Sequence, residues 1–152
     1  MPAFITFGRI LFAVLFIYSG AAKLLVGIKA TSDSIAAKVM VTIPALLTPY
    51  VTQLEGITGM PMPQMLAIAV GAFEVIAGLM IAFNFGARFF SILLIIFVAA
   101  TTFYFHDFWN QPLSDGTMVL DALKNLSIIG ALFIIAGYGR TSHSPEPTYS
   151  DV

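Results

Sequence analysis

Four stretches of the chain stay apolar long enough to cross a bilayer as helices, at about 3–25, 65–83, 88–105 and 118–138. At ~1.5 Å of rise per residue, the second stretch spans about 28 Å, close to the thickness of a hydrocarbon core. Polar groups within these stretches are few, and each therefore carries information. Glu74 is the tenth residue of its run, so its carboxylate falls near mid-membrane. An isolated charge at that depth is costly, which requires it to be paired, protonated or facing a polar cavity. Arg9 and Lys23 lie near the two ends of the first run, and Asp121 and Lys124 occupy the first two turns of the fourth. Arg9, Lys23 and Lys124 are close enough to helix ends to reach the headgroups.

The connections between runs are unequal. Residues 84–87 form a tight hairpin, and 106–117 is a polar, acidic loop with Phe108 and Trp109 as aromatic anchors. The longest connection is 28–64. There Ser32, Asp33 and Ser34 read as the N-cap of a short helix through Val41, with Pro44 and Pro49 breaking the chain after it. Leu46, Leu47, Tyr50, Val51 and Leu54 keep a helical apolar spacing suited to the membrane surface. Gly59, Pro61 and Pro63 then make a rigid turn into the second run. Beyond Arg140 the chain is rich in Ser, Pro and Thr and is expected to be disordered. The fold expected is an all-α integral membrane four-helix bundle with antiparallel neighbours, occupying residues 1–139, with a polar tail at 140–152.

Composition agrees with a membrane chain. Of 152 residues, 59% are hydrophobic and 10% charged, against about a quarter charged in soluble domains. The net charge of −1 offers no basic surface for nucleic acid. Cysteine is absent, which excludes disulfides, cysteine-ligated iron–sulfur clusters, c-type haem attachment and dithiol chemistry. With only His106 and His143, one of them in the tail, paired-histidine haem ligation is not expected, and no metal-ligand set is evident. No basic segment precedes the first apolar run, so a cleaved leader is not expected either. Arg9, Arg88 and Arg140 gather on the side of the termini, against Lys29 and Lys38 in the long connection. That narrow bias puts both termini in the cytoplasm, with Arg9 and Arg88 as headgroup or topology residues.

With this topology Glu74, Lys23, His106 and Lys124 can converge in the half of the bundle away from the termini. Gly71, Glu74 and Gly78 fall at i, i+3 and i+7, placing small residues beside the acid, where they let backbones approach. Ser19 and Lys23 are four apart with Gly20 beside them, and Asp121 can reach Lys124 or Asn125. Glu74 with Lys23 or Lys124 is either the edge of a functional cavity or a pair that holds helices in register. His106, next to Asp107, Phe108 and Trp109, is either an interfacial anchor or a ligand or proton donor.

The ordered set of short motifs resembles the DoxX family of small four-helix membrane proteins of bacteria and archaea. The likeness begins with Gly8 and Arg9, then Tyr18, Ser19, Gly20 and Lys23, and continues through Gly59, Pro61 and Pro63 to Glu74 and Gly78. It closes with Gly86 and Arg88, His106, Phe108 and Trp109, and finally Lys124, Asn125 and Gly130. The resemblance implies a bacterial inner-membrane protein, a component of quinone-linked membrane oxidoreductases. It also implies that Arg9, Lys23, Glu74, His106, Lys124 and Asn125 occupy characteristic positions. A bound quinone or lipid is the cofactor to expect, with His106 or Lys124 donating to a carbonyl and Glu74 relaying a proton. Ser19, Asn125 and Trp109 are further candidate contacts to that ligand. The competing expectation is a non-catalytic accessory subunit that meets other membrane subunits or itself. Transport is disfavoured, since four helices leave little room and the sequence shows no broken-helix pair.

Overall fold

The structure, a computed structural model, describes residues 2–105 and 116–138. The expectations at His106, Phe108 and Trp109 and for the 140–152 tail lie outside those residues. Among the described residues six α-helices follow one another: α1 (Pro2–Leu25), α2 (Ile28–Lys38), α3 (Thr48–Thr58), α4 (Met62–Ala82), α5 (Ala87–Phe105) and α6 (Gly116–Tyr138). Four of them, α1, α4, α5 and α6, are long and apolar enough to span a membrane. Their outward faces carry large apolar side chains in the open, among them Phe7, Leu11, Ile96 and Phe133. In water such a surface would aggregate; here it is the lipid-facing side of an integral membrane protein.

The spans are packed in antiparallel pairs. α1 lies closest to α4, α4 meets α5, and α5 lies against α6, whereas α6 barely touches α1. The α1–α4 seam is tight because glycines line it. A Cβ added at Gly78 would stand 2.8 Å from Ile17 Cγ1, and one at Gly71 would stand 2.8 Å from Leu24 Cγ. At Gly20 it would run into the Gly71 carbonyl oxygen. The stripe of small residues around Glu74 thus faces α1, as its spacing predicts. Below it Ala13, Phe16, Ala77, Ile81, Leu94, Val98 and Leu132 form one buried apolar core.

The α4–α5 hairpin is made by two residues in the left-handed region, Asn84 at φ 59° and Gly86 at φ 59°. Asparagine tolerates that conformation and glycine is indifferent to it.

The long connection departs from its sequence reading in three places. The first helix starts at Ile28, not after a Ser32–Ser34 cap, and its N-cap Gly27 makes no side-chain bond. Only two residues separate it from α1, and Thr31 N–H donates to Gly27 O at 2.9 Å, so the helix begins directly off the preceding one. Ser34 sits inside it and donates to Ala30 O at 2.9 Å. Secondly, Pro49 starts α3 instead of breaking a helix, since a proline in the first turn sacrifices no intrahelical bond. Pro63 does the same for α4, which begins at Met62, three residues earlier than the apolar run. Thirdly, a broken pair is present: segments 28–42 and 45–58 meet at 115°, and together they pass the length and composition test for an interrupted span. Ile43 at ψ 125° and Pro44 at ψ 141° make the bend; a proline disfavours the helical region for the residue before it, and Pro44 is itself extended here.

Two polar side chains tie this connection to the bundle. Glu55 accepts from the Met62 N–H at 2.7 Å, satisfying one of the orphan donors that open α4. Lys38 donates to Phe105 O at 3.0 Å and lies 5.9 Å from that residue's ring centroid. A cation on a terminal carbonyl also opposes the negative end of the α5 dipole. α2 therefore runs from the end of α1 to the end of α5, across the mouth of the bundle.

Candidate functional site

Lys23 on α1 donates to both carboxylate oxygens of Glu74 on α4, at 2.6 and 2.7 Å. Its third donor goes to Ser19 Oγ at 2.9 Å, one turn back on α1. All three ammonium protons are thereby engaged. Glu74 has a side chain only 5% exposed, while Lys23 retains 29% and reaches toward the mouth. Gly20 makes the short reach possible, because its missing side chain lets α1 settle onto the α4 backbone one turn from the acid.

The pair stands in the wall of an open cavity of about 600 Å³ that α1, α2, α4, α5 and α6 line together. Most of its lining is apolar, including Phe16, Val70 and Phe97. Ser19, Asn125 and Tyr104 add polar atoms, and α2 contributes Thr31, Ser34 and the buried Ile35. Asn125 donates to Thr102 Oγ1 at 2.9 Å, crossing from α6 to α5. Thr102 in turn donates to Val98 O at 2.6 Å.

The structure brings together four of the residues singled out in the sequence: Ser19, Lys23, Glu74 and Asn125. Lys124 stands elsewhere. Its side chain is 63% exposed, it donates to Asp121 at 2.9 Å, and it is not part of the cavity lining. Neighbours on a helix point about 100° apart, so Lys124 and Asn125 cannot both face the interior. His106 and Trp109 lie outside the described residues. The sequence reading missed Thr102, Tyr104 and the whole α2 contribution. Thr101 and Thr102 are polar residues near the end of an apolar run, and that was the available signal.

An all-α membrane bundle with a cross-helix ion pair facing an apolar cavity defines the class of this protein. The DoxX family model matches residues 4–60 and 50–107, which include Lys23 and Glu74, and the chain belongs to the DoxX family. Lys124 and Asn125 lie beyond the matched residues. No curated protein and no solved structure matches the chain.

Proposed function

We propose that the Glu74 cavity receives the head of a quinone, and that the chain is the membrane component of a quinone-linked oxidoreductase in a bacterial cytoplasmic membrane. Both termini lie on the cytoplasmic side in this reading. The observation that carries it is an ion pair set in the wall of an apolar cavity of about 600 Å³. Such a pocket, apolar with a few converging polar groups, is the usual form of a small-molecule site.

The residues fit the group. A quinone head is a flat apolar ring with two carbonyl acceptors. Phe16, Val70 and Phe97 offer apolar walls. The donors left over include the Ser19 hydroxyl, which accepts from Lys23 and keeps its own proton, the second N–H of the Asn125 amide, and the Tyr104 and Thr31 hydroxyls in the lining. Lys23 has no donor to spare, so its role is to hold Glu74 in place and to balance its charge. Glu74 is the group able to take up or release a proton beside a bound head. A quinone, when bound, supplies two-electron, two-proton redox chemistry. Electrons would come from a partner redox protein, since this chain has no cysteine and offers no cysteine-ligated centre of its own.

Native mass spectrometry of the protein extracted mildly from its own membrane tests this. Retained quinone, lost on Glu74→Gln in a chain that still folds, supports the reading; quinone-linked turnover unchanged by that substitution overturns it.

The saturation of Lys23 also favours a second reading, in which the pair is structural and the chain is an accessory subunit. In that case the same experiment returns stoichiometric protein partners and no quinone.

A further inference from the structure

A second cleft lies at the opposite end of the bundle, beside the α4–α5 hairpin. It has a volume of about 430 Å³ and opens between α1 and α6, the neighbouring spans that barely touch. Arg9 stands in its wall, with Asn84 at the hairpin and apolar sides formed by Ile5, Phe12, Ile134 and Ile135. Arg9 is the eighth residue of α1, about 10 Å along the helix from its start, from where a long side chain extends to the headgroups.

Two independent features mark Arg9. Its Nε is shut off from solvent and has no hydrogen-bond acceptor among the described residues. The guanidinium is thus sunk partly into the wall, and its terminal nitrogens, which also have no partner among the described residues, are the donors left to meet an occupant. It also lacks a counter-charge among those residues. The acids there are Asp33, Glu55, Glu74 and Asp121. They sit in α2, in α3, on Lys23 and at the start of α6, all toward the far half of the bundle. Lys23 and Lys124 both have carboxylate partners; Arg9 has none among the described residues.

We infer that the α1–α6 cleft is a binding site for an anionic phospholipid, with Arg9 on the phosphate and an acyl chain against Ile134 and Ile135. Guanidinium matches phosphate in charge and in its planar fork of donors. The cleft lies between two spans of the membrane bundle, and its apolar walls suit an acyl chain that a free anion does not possess. This site lies at the other end of the molecule from Glu74 and does not depend on the quinone reading.

Gly8 supplies a clean control. It lines the cleft, and a Cβ added there meets nothing within 4 Å, so Gly8→Phe narrows the space without disturbing a packed seam. Arg88 is the other control, a cation at the same end but exposed and outside the cleft. The full chain, delipidated in mild detergent, is titrated with phosphatidylglycerol, phosphatidylcholine and inorganic phosphate and followed by native mass spectrometry and thermal shift. Expected are preferential retention of phosphatidylglycerol and a loss of about tenfold or more in its affinity in Arg9→Gln, the scale of one charged hydrogen bond. Gly8→Phe also weakens retention, whereas Arg88→Gln leaves it unchanged. Equal loss in Arg88→Gln, equal binding of phosphatidylcholine, or inorganic phosphate binding as well as the lipid would each overturn the proposal.

Discussion

Lys23 and Glu74, 51 residues apart in the chain, meet with the lysine donating to both carboxylate oxygens. Glu74, 5% exposed, is the side chain that cannot stand alone at this depth, whereas Lys23 at the end of α1 keeps a way to the mouth, so the acid on α4 is neutralised from α1. The pair fixes the rotation of α1 against α4, since a turn of either helix would strand a charge in hydrocarbon.

The energetic consequence can be measured. Lys23→Met leaves the buried Glu74 without its partner and should lower stability by about 3–5 kcal/mol, the usual effect of stranding one member of a buried pair, while Glu74→Leu, which leaves the more exposed Lys23, should cost less. Lys23→Met combined with Glu74→Leu should recover most of that loss. A detergent-unfolding titration of the two single variants and the double variant reports the coupling directly, and additive losses would contradict it.

The glycine seam should be as sensitive as the charges. Gly20→Ala drives a methyl into the Gly71 carbonyl, which is backbone and cannot swing aside. A loss of about 1–3 kcal/mol is expected, the range for overpacking a close interface. Gly130→Ala is the comparison, because a Cβ there meets nothing within 4 Å. It should be neutral or slightly stabilising through helix propensity. Thermal denaturation of both variants separates contact from propensity.

How much of this is legible in the sequence varies with the physics involved. The four spans are, because a bilayer demands long apolar runs and nothing else in a chain resembles them. Glu74 facing α1 is legible too, since Gly71 and Gly78 mark the close-packed face on either side of it. The choice between Lys23 and Lys124 as its partner is not. Both are cations near a span end, and only the rotation of α6 decides that Asn125 turns inward while Lys124 turns out to Asp121. The α2–α3 connection misleads for a related reason. Pro49 looks like a breaker in a sequence, yet a proline breaks a helix only from its interior. Where a helix begins is settled by what its first N–H groups meet, and for α4 that is Glu55, seven residues away from Met62.

Removing that cap has a local signature. Glu55→Ala should destabilise the start of α4 by about 1 kcal/mol, as capping losses generally do. Amide exchange should quicken in the first turn of α4 while the middle of the helix stays protected. Uniform acceleration throughout α4 would argue instead for a global effect.

The cavity makes a prediction about side chains that adjoin in sequence. Asn125→Leu removes the bond to Thr102 and a polar atom from the lining, whereas Lys124→Leu removes an exposed cation. Ligand retention should fall in the first variant and persist in the second. The reverse order would mean that α6 is rotated from the orientation described.

Lys38→Met should loosen α2, because the bond to Phe105 O anchors its far end. Exchange across α2 should rise, and the cavity should become more accessible to a quenching probe in solution. No change in either would place the anchoring of α2 in its contacts with α4.

Between Glu74 and the hairpin lies the core of Ala13, Phe16, Ala77, Ile81, Leu94 and Leu132, where Ser91 adds a single buried hydroxyl with no partner among the described residues. One hydroxyl cannot relay a proton through such an insulator. On the quinone reading, the polar route that the described residues leave to a proton exchanged by Glu74 runs past α2, to the face on which the cavity opens. Turnover at this site would be electrically silent across the bilayer as far as this chain's own protons are concerned, and any contribution to a transmembrane gradient would have to arise in a partner.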